Sequence, residues 1–381
     1  MMIKFARPQV DKKVFTKIKK TINNGIFVHG EFTEKFEKEL KIFFKLPKKF
    51  LLTTSSCTAS MHLYYMSIGL NKNDEVIMSA QTHVATAHAV EICGAKPVFV
   101  DCELKTGNID INKIEPKINK KTKCICITHF LGKPTDMGKI NKIAKKYNLK
   151  VVEDTALSIG SKIGKKFSGT FGDAGAFSFH PVKIITTGEG GAIILKNKKE
   201  YEKIGSIKSF GYDIAAPNKR KIPGNYNINH LGLNYRMSEI EAAIGISELR
   251  RINQKILKRK KNYNFLNSKI KKFKNFKILN VQSDKKFKSS YYCLTILLNS
   301  KNKSYRDKII LKLKNKGIQT SIYYPHPVPL LNYYKNKYYS LRSDFKNASR
   351  IAYNSISFPI APHVSNKDII YMAEQIKKII G

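Results

Sequence analysis

The sequence predicts an α/β fold with a mainly parallel sheet, followed by a smaller α+β domain. Two observations support this. Short apolar runs alternate with helix-like stretches from about Phe50 to Lys196, and the last third of the chain has a different rhythm of strands and helices. We expect a large domain with an N-terminal arm at residues 1–250 and a small C-terminal domain at residues 251–381.

The apolar runs of the first part predict buried strands with helices packed on both faces of the sheet. In chain order these runs are LLTT, EVIMSA, KPVFVD, KCICITHF, LKVVED, AGAFSFH and AIILK. One long helix is expected from about Ser238 to Leu266. The small domain should then contain YYCLTILL and IQTSIYY as extended runs, with helices near SYRDKIILKLKNKG and NKDIIYMAEQIKKII.

Composition excludes several protein classes. With 42% hydrophobic and 10% aromatic residues the chain is not disordered, and no apolar run approaches the roughly 18 residues of a membrane helix. The start, MMIKFARPQVDKKV, has no apolar signal core, so a cytoplasmic location is expected. The six cysteines form no CxxC pair, so neither disulfides nor a metal site are predicted.

The formal charge of +42 raises the question of nucleic-acid binding. Lysines are, however, scattered along every amphipathic segment, as in KKVFTKIKKTI, KINKIAKKYN and KILKRKKNYN. This pattern is typical of solvated helix faces, so no nucleic-acid partner is predicted. A functional alternative stays open, in which the positive field attracts an anionic substrate such as a nucleotide-linked sugar.

Polar residues cluster where predicted strands end, which is the edge at which sheets of this class bind ligands. Lys183 lies between the apolar run AGAFSFH and the glycine-rich turn TTGEGG, which favours burial at the sheet edge. A desolvated, reachable lysine is what Schiff-base chemistry needs. The alternative is a solvated surface lysine.

Two further strand ends carry groups that suit a charged ligand. Asp154 ends the apolar run LKVVED, where a buried carboxylate needs a partner such as a pyridinium nitrogen. Its alternative role is a helix N-cap. In TTSSCTAS the amides of Cys57 and Thr58 would lie at a helix N-terminus, which favours an anion, although ordinary N-capping explains the same residues.

Together these blocks resemble the DegT/DnrJ/EryC1/StrS sugar aminotransferases, which depend on pyridoxal 5'-phosphate. The resemblance covers nearly the whole chain, and its most specific part is GDAGAFSFHPVKIITTGEGGAI. Other matching blocks are GEFTEKFEKEL, TTSSCTASMHL, DEVIMSAQTHVATAHAV, VVEDTA, NYRMSEIEAAIG and YYPHPVP. It implies the type I fold of this cofactor class, with a mainly parallel seven-stranded sheet between helices and a small C-terminal α+β domain.

The resemblance implies a role for each matching residue. Lys183 would bind the cofactor as a Schiff base and shuttle the proton, and Asp154 would pair with the ring nitrogen. The phosphate would contact a set of small residues at two strand ends, namely Ser56, Cys57, Thr58 and Ser178. Asn234 would reach the phosphate of a neighbouring subunit, which implies a homodimer with shared active sites.

Two positions depart from the family pattern. His83 stands where an aromatic residue usually stacks on the cofactor ring, and an imidazole can also stack. Leu157 stands where many members have Gln or His in contact with the ring hydroxyl, and Leu cannot donate that hydrogen bond.

The implied reaction moves an amino group, with L-glutamate as the expected donor, to a nucleotide-linked 3-keto or 4-keto hexose, often a 6-deoxy sugar, in surface-polysaccharide synthesis. His180, Tyr323 and His326 are candidate substrate contacts. The last two lie, with Tyr324, in TSIYYPHPVPL, where three prolines predict a rigid loop without helix. Alternatively, the tyrosines only pack the domain interface.

Rival functions also remain at this stage. A dehydratase of the same fold would carry histidine in place of Lys183, so the lysine disfavours it. A non-catalytic binding or regulatory member of the family is favoured slightly by Leu157.

Overall fold

A seven-stranded sheet forms the centre of the larger part of the chain. The computed structural model describes residues 2–213, 220–299 and 303–381. The strands up to residue 195 are β1 (Phe50–Thr54), β2 (Glu75–Ser79), β3 (Lys96–Val100), β4 (Thr122–Thr128), β5 (Lys150–Asp154), β6 (Lys162–Ile163), β7 (Lys166–Phe167), β8 (Ala174–Ser178) and β9 (Gly191–Leu195). Their order in the central sheet is β1-β9-β8-β5-β4-β2-β3.

The pairing confirms the predicted mainly parallel sheet. Strands β2, β3, β4, β5 and β8 pair in parallel, and β9 runs antiparallel to both β1 and β8. In β4, Cys124 and Cys126 belong to one apolar core cluster, whereas Ile125 and Ile127 belong to another. Because successive side chains of a strand point to opposite faces, this pattern shows that both faces of the sheet are covered.

Helices of the larger part surround this sheet. They are α1 (Val14–Asn24), α2 (Glu31–Phe44), α3 (Cys57–Ser67), α4 (Val84–Glu91), α5 (Met137–Lys146), α6 (Lys198–Ile207) and α7 (Glu239–Leu249). In the described residues, none of the helices is both long enough and apolar enough to span a membrane.

The C-terminal part is a small α+β unit, as expected. Its helices are α8 (Ile252–Ile270), α9 (Lys303–Asn315), α10 (Asn332–Tyr338), α11 (Lys346–Asn354) and α12 (Asn366–Ile380). Its strands are β10 (Phe276–Ile278), β11 (Phe287–Lys288), β12 (Leu294–Leu298) and β13 (Ser355–Phe358). Strands β10, β12 and β13 form an antiparallel sheet, while β11 pairs with β6 of the larger part.

The prediction of one long helix from Ser238 to Leu266 is wrong. The structure has two helices, α7 and α8, which break at Arg250 and Arg251. The break lets α7 pack against α1 and α2, and α8 against α12. The two helices therefore pack against different neighbouring helices, which one straight helix could not do, while their buried apolar side chains belong to one core cluster. A domain division at residues 250 and 251 is compatible with this break and stays a prediction.

Two smaller expectations for the small domain also need correction. The run IQTSIYY is not a strand and makes only isolated bridges, from Ile318 to Ile3 and from Ser321 to Ser357. The proline-rich segment after it is a loop, but it ends in a 3-10 turn at Val328–Leu330. Proline is tolerated there because the first residues of a helical turn need no amide donor.

Candidate active site

A cavity of about 390 Å³ lies where the strand ends of the central sheet meet the loop that follows Ile318. Most of the predicted site residues line it: Ser56, Cys57, Thr58, His83, Asp154, Ser178, His180, Lys183 and Tyr323. The parallel strands bring their carboxyl ends to one edge, which is why residues more than a hundred positions apart meet here. Asn234 and His326 lie elsewhere.

The N-terminus of α3 forms one wall of the cavity. Ser56 caps this helix, because its Oγ accepts a hydrogen bond from the amide of Ala59 at 3.0 Å. Ser56 is therefore an N-cap residue, as the alternative interpretation of this segment predicts. Cys57 and Thr58 are the first residues of the helix, where amides have no acceptor within the helix and the helix dipole favours an anion.

Glycine makes this wall possible. A Cβ on Gly191 would lie 2.4 Å from the carbonyl carbon of Ser56 and 2.7 Å from the amide of Cys57, so only glycine allows β9 to start so close to α3. Gly191 also pairs with Ser178 at the end of β8. The close approach brings Ser178 and the start of α3 to the same small concave surface.

Lys183 lies in the turn after β8 and points toward the same cavity. Its backbone amide donates to the carbonyl of His180 at 2.9 Å, and its Nζ is 5.8 Å from the ring centre of Tyr292. The Tyr292 hydroxyl donates to the carbonyl of Val182 at 3.1 Å, which ties this turn to the small domain. Burial lowers the pKa of Lys183, and the carboxylate of Asp154 opposes that shift only in part. The amine is thus easier to deprotonate than a surface lysine.

Asp154 is buried at the end of β5, with 3% of its surface exposed. Its Oδ2 accepts from the Thr86 hydroxyl at 2.8 Å, and its Oδ1 accepts from the amide of Ala156 at 3.0 Å and from the Cys57 thiol at 3.9 Å. The bond to Ala156 is the local capping contact that sequence reasoning kept as an alternative. The same carboxylate nevertheless lines the cavity.

The neighbouring carboxylate, Glu153, points the other way. It accepts from the backbone amides of Gly169, Phe171 and Gly172 at 2.6–2.7 Å and lies 2.9 Å from Nε2 of His129. Burial alone would raise the pKa of Glu153, but these donors, with His129 first, hold it below its usual value. Of the two carboxylates that end this strand, one anchors a loop and the other faces the cavity.

The two departures from the family pattern both line the cavity. Nδ1 of His83 accepts from the amide of Ala85 at 3.2 Å, and its ring meets that of Tyr324 edge-on at 5.4 Å. Burial, and then the charge of Lys183, lower the pKa of His83, so the ring is neutral near pH 7. Leu157 is 2% exposed and presents an apolar side chain.

Sequence reasoning missed the hydroxyl residues Thr86 and Thr128, which also line the cavity. A signal for Thr86 was present, since it follows β2 in THVATA, at the same edge as the other strand ends. Thr128 is the last residue of β4, and only the sheet order shows that β4 lies between β2 and β5.

Asn234 and His326 do not line this cavity. Asn234 is exposed, and its Oδ1 accepts from Nε of Arg236 at 2.9 Å. Nδ1 of His326 lies 3.4 Å from the hydroxyl of Tyr353, and the two rings meet edge-on. The proposed roles of both residues stay predictions.

Comparison with known proteins agrees with this geometry. Residues 8–377 match the DegT/DnrJ/EryC1/StrS aminotransferase family. The chain belongs to this family. It is 32% identical to the GDP-perosamine synthase of Escherichia coli O157:H7, over 92% of this chain and 90% of that protein. It is 29% identical to the UDP-4-amino-4,6-dideoxy-N-acetyl-beta-L-altrosamine transaminase of Campylobacter jejuni strain 81-176, over 100% and 98% of the two chains.

Solved structures agree with the fold and the cofactor. The putative sugar aminotransferase Spr1654 of Streptococcus pneumoniae in its PMP form superposes with a TM-score of 0.92 at 25% identity, covering 99% of this chain and 98% of that one. The same protein is also known in its PLP form. The chain is therefore an aminotransferase that uses pyridoxal 5'-phosphate.

The side chains of the cavity fit this cofactor. An amine with lowered pKa, a buried carboxylate and a helix N-terminus beside Ser178 are the complements of an aldehyde, a ring nitrogen and a phosphate. The close approach of Gly191 to the backbone of Ser56 and Cys57, which a Cβ would prevent, brings the start of α3 next to Ser178 for that phosphate.

Proposed function

We propose that this aminotransferase moves an amino group from L-glutamate to a nucleotide-linked 3-keto or 4-keto hexose, often a 6-deoxy sugar, in surface-polysaccharide synthesis. The observation that carries the proposal is the placement of Lys183 and Asp154 on one cavity with the N-terminus of α3. The names of two relatives, GDP-perosamine synthase and a UDP-aminosugar transaminase, support a nucleotide-linked sugar. The net charge of +42 also favours an anionic substrate.

Each residue has a definite task in this proposal. Lys183 would bond covalently to the aldehyde carbon of the cofactor and, once displaced, would hold and return a proton as general base and acid. Asp154 would accept a hydrogen bond from the ring nitrogen. When bound, pyridoxal 5'-phosphate supplies an electron-accepting ring that carries the amino group between the half-reactions. The amides of Cys57 and Thr58, with Ser56 and Ser178, would bind its phosphate.

The remaining proposed contacts are with the face of the cofactor ring and with the substrate. His83 would cover one face of the ring, and its neutral imidazole suits that contact. His180 and Tyr323, which line the cavity, would contact the substrate. His326 lies outside the cavity, so it would contact the substrate only where the substrate extends out of the cavity. The proposed location is the cytoplasm, because the cysteines are free thiols, as is typical of a reducing compartment.

We also propose that two copies of the chain share their active sites. Large apolar side chains are exposed beside Asn234, on residues 27–28 and 222–231: Phe27, Val28, Ile222, Tyr226, Ile228 and Leu231 are each 40–85% exposed. Such a surface favours association. A cavity of about 430 Å³ lies next to it, lined by His29, Tyr212 and Arg236 among others. Asn234 would reach the phosphate of a second copy from this surface.

Subunit mixing tests the shared site. Lys183→Ala and Asn234→Ala chains should each be inactive alone, and mixed dimers should regain about one sound site each. Heterodimers can be verified with two affinity tags. No recovery in verified heterodimers would show that both residues serve the site of the same subunit.

A substrate screen tests the reaction itself. The protein loaded with cofactor should show an absorption band near 400–420 nm, an approximate range for this cofactor when bound to lysine. Glutamate should bleach the band, and the correct keto sugar should restore it. A band that glutamate bleaches but no GDP- or UDP-linked keto hexose restores would contradict the proposed acceptor class, and an unbleached band would contradict glutamate as donor.

A further inference from the structure

A chain of three threonine hydroxyls ends on the carboxylate of Asp154. Thr86 Oγ1 lies 2.8 Å from Asp154 Oδ2, Thr82 Oγ1 lies 2.9 Å from Thr86 Oγ1, and Thr128 Oγ1 lies 2.7 Å from Thr82 Oγ1. None of the four side chains is more than 4% exposed. The hydroxyls come from the loop after β2, from α4 and from the end of β4, so three segments combine to build the chain.

An ionised Asp154 determines the direction of every hydrogen bond in this chain. A carboxylate only accepts, so Thr86 gives its one hydroxyl proton to Asp154. Thr86 must then accept from Thr82, and Thr82, whose proton is used, must accept from Thr128. The three O–H dipoles therefore point the same way, with their positive ends toward Asp154. Hydrogen bonds aligned in this way polarise one another and strengthen the last one.

We propose that Thr86, supported by Thr82 and Thr128, is a positioning residue that keeps the carboxylate of Asp154 aimed at the ring nitrogen of the cofactor. This inference rests on the proposed role of Asp154. The amide of Ala156 holds the second carboxylate oxygen at 3.0 Å, so both oxygens are fixed. A carboxylate held by donors on both oxygens keeps its charge and its orientation without help from solvent.

Loss of the Thr86 hydroxyl should move a proton. Without that donor the carboxylate of Asp154 would be less well aimed at the ring nitrogen, so the proton on that nitrogen would lose part of the hydrogen bond that holds it. The ring would then be a weaker electron acceptor. Asp154 would keep donors on only one of its oxygens, from the Ala156 amide and the Cys57 thiol, so the cofactor should bind about tenfold more weakly, in line with the worth of one hydrogen bond to a charged group.

The experiment compares Thr86→Val, which keeps the shape but removes the hydroxyl, with Thr86→Ser, which keeps a hydroxyl. Each protein is loaded with pyridoxal 5'-phosphate labelled with nitrogen-15 in the ring, and the chemical shift reports the protonation of that nitrogen. Thr86→Val should shift the signal toward the unprotonated form and raise the Kd of the cofactor about tenfold. Thr86→Ser should stay near the wild type. Thr82→Val should shift the signal less, because Thr82 acts through Thr86.

A matched control separates this role from simple loss of a buried hydrogen bond. Thr295 is also fully buried, and its hydroxyl lies 2.8 Å from that of Ser357 in the small-domain sheet. Thr295→Val should leave the nitrogen signal and the Kd of the cofactor unchanged. An equal shift in Thr295→Val would show that the signal follows general loosening, and would overturn the proposal.

Asp154→Asn distinguishes a failure of the proposed role of Asp154 from a failure of the role of Thr86 alone. If Asp154→Asn leaves the ring nitrogen protonated, the proposed role of Asp154 is wrong, and the inference about Thr86 is lost with it. If Asp154→Asn shifts the signal but Thr86→Val does not, or Thr86→Ser does not restore it, the role of Thr86 alone is overturned. Should Thr86→Val not fold, an unchanged signal in Thr82→Val overturns the proposal.

Discussion

The substitution Lys183→Ala should separate catalysis from stability, because among the described residues Lys183 Nζ makes no hydrogen bond or salt bridge, and Asp154 acts on it only through its charge. The ring centre of Tyr292 lies 5.8 Å from Lys183 Nζ. Burial lowers the pKa of Lys183, which means that the folded chain disfavours the charged amine. Under the proposed role of Lys183, the fold accepts this cost to hold the amine in place for the reaction.

The two effects of Lys183→Ala should differ greatly in size. A positioned general acid and base contributes about 10²–10⁴-fold to a rate, and Lys183 would also be the covalent anchor, so we expect kcat to fall at least about 10³-fold. The free energy of unfolding of the cofactor-free protein should fall by no more than about 2 kcal/mol, or rise, because a desolvated cation–π contact is worth about that much.

Lys255→Ala is a matched control for Lys183→Ala, and for this control we expect a large loss of stability. It is 7% exposed and is paired with the buried carboxylate of Glu248, which is 1% exposed. Lys255→Ala would leave that carboxylate without its cation, and breaking a buried pair in this way costs about 3–5 kcal/mol. These two lysines, which line one small cavity, should therefore give different free energies of unfolding when each is replaced by Ala.

The stability difference between wild type and Lys183→Ala should also depend on pH. Because the pKa of Lys183 is lower in the folded chain than in the unfolded chain, the unfolded chain binds the proton more tightly. In the wild type, the charged amine of Lys183 lowers the free energy of unfolding. This destabilisation is complete below the folded pKa, shrinks as pH rises toward the ordinary value of 10.5, and is absent above it. Any advantage of Lys183→Ala should therefore shrink as the pH rises above the folded pKa toward 10.5.

Urea unfolding of the cofactor-free proteins and steady-state turnover of the loaded ones would check these expectations. Borohydride reduction followed by mass analysis should show cofactor bound to the wild type and none to Lys183→Ala. Turnover within tenfold of the wild type would refute the role of Lys183. A loss of stability as large as that of Lys255→Ala would refute the view that Lys183 is structurally unpaired.

Three further substitutions test separate parts of the structure. Glu239→Ala should lower the free energy of unfolding by about 3 kcal/mol, because the Glu239 carboxylate accepts hydrogen bonds from three backbone amides at the start of α2. A loss of less than about 1 kcal/mol in urea unfolding would contradict this. His326→Ala should slow the keto-sugar half-reaction and spare the glutamate half-reaction in rapid mixing; equal effects on both, or none, would exclude a sugar contact. Leu157→Gln should shift the absorption maximum of the bound cofactor, since it adds a donor that Leu157 lacks; an unchanged spectrum would mean that the side chain does not reach the ring.

The sequence by itself determined the fold class and most of the residues at the site edge. Alternating apolar runs predict a parallel sheet, and parallel strands bring their carboxyl ends together, so Lys183, Asp154 and the start of α3 could be expected at one place before any coordinates. Periodicity and strand ends are local properties, which a single sequence displays directly.

Only the tertiary structure decided which side chains act together. Glu153 and Asp154 are neighbours in the chain, yet the loop amides at residues 169–172 take one carboxylate and the cavity receives the other. Thr86 and Thr128 are linked to Asp154 only because β4 lies between β2 and β5 in the sheet. The break between α7 and α8 likewise lets the two helices pack against different distant helices, α7 against α1 and α2 and α8 against α12. These outcomes depend on which distant segments pack together, and the residues of one segment do not carry that information.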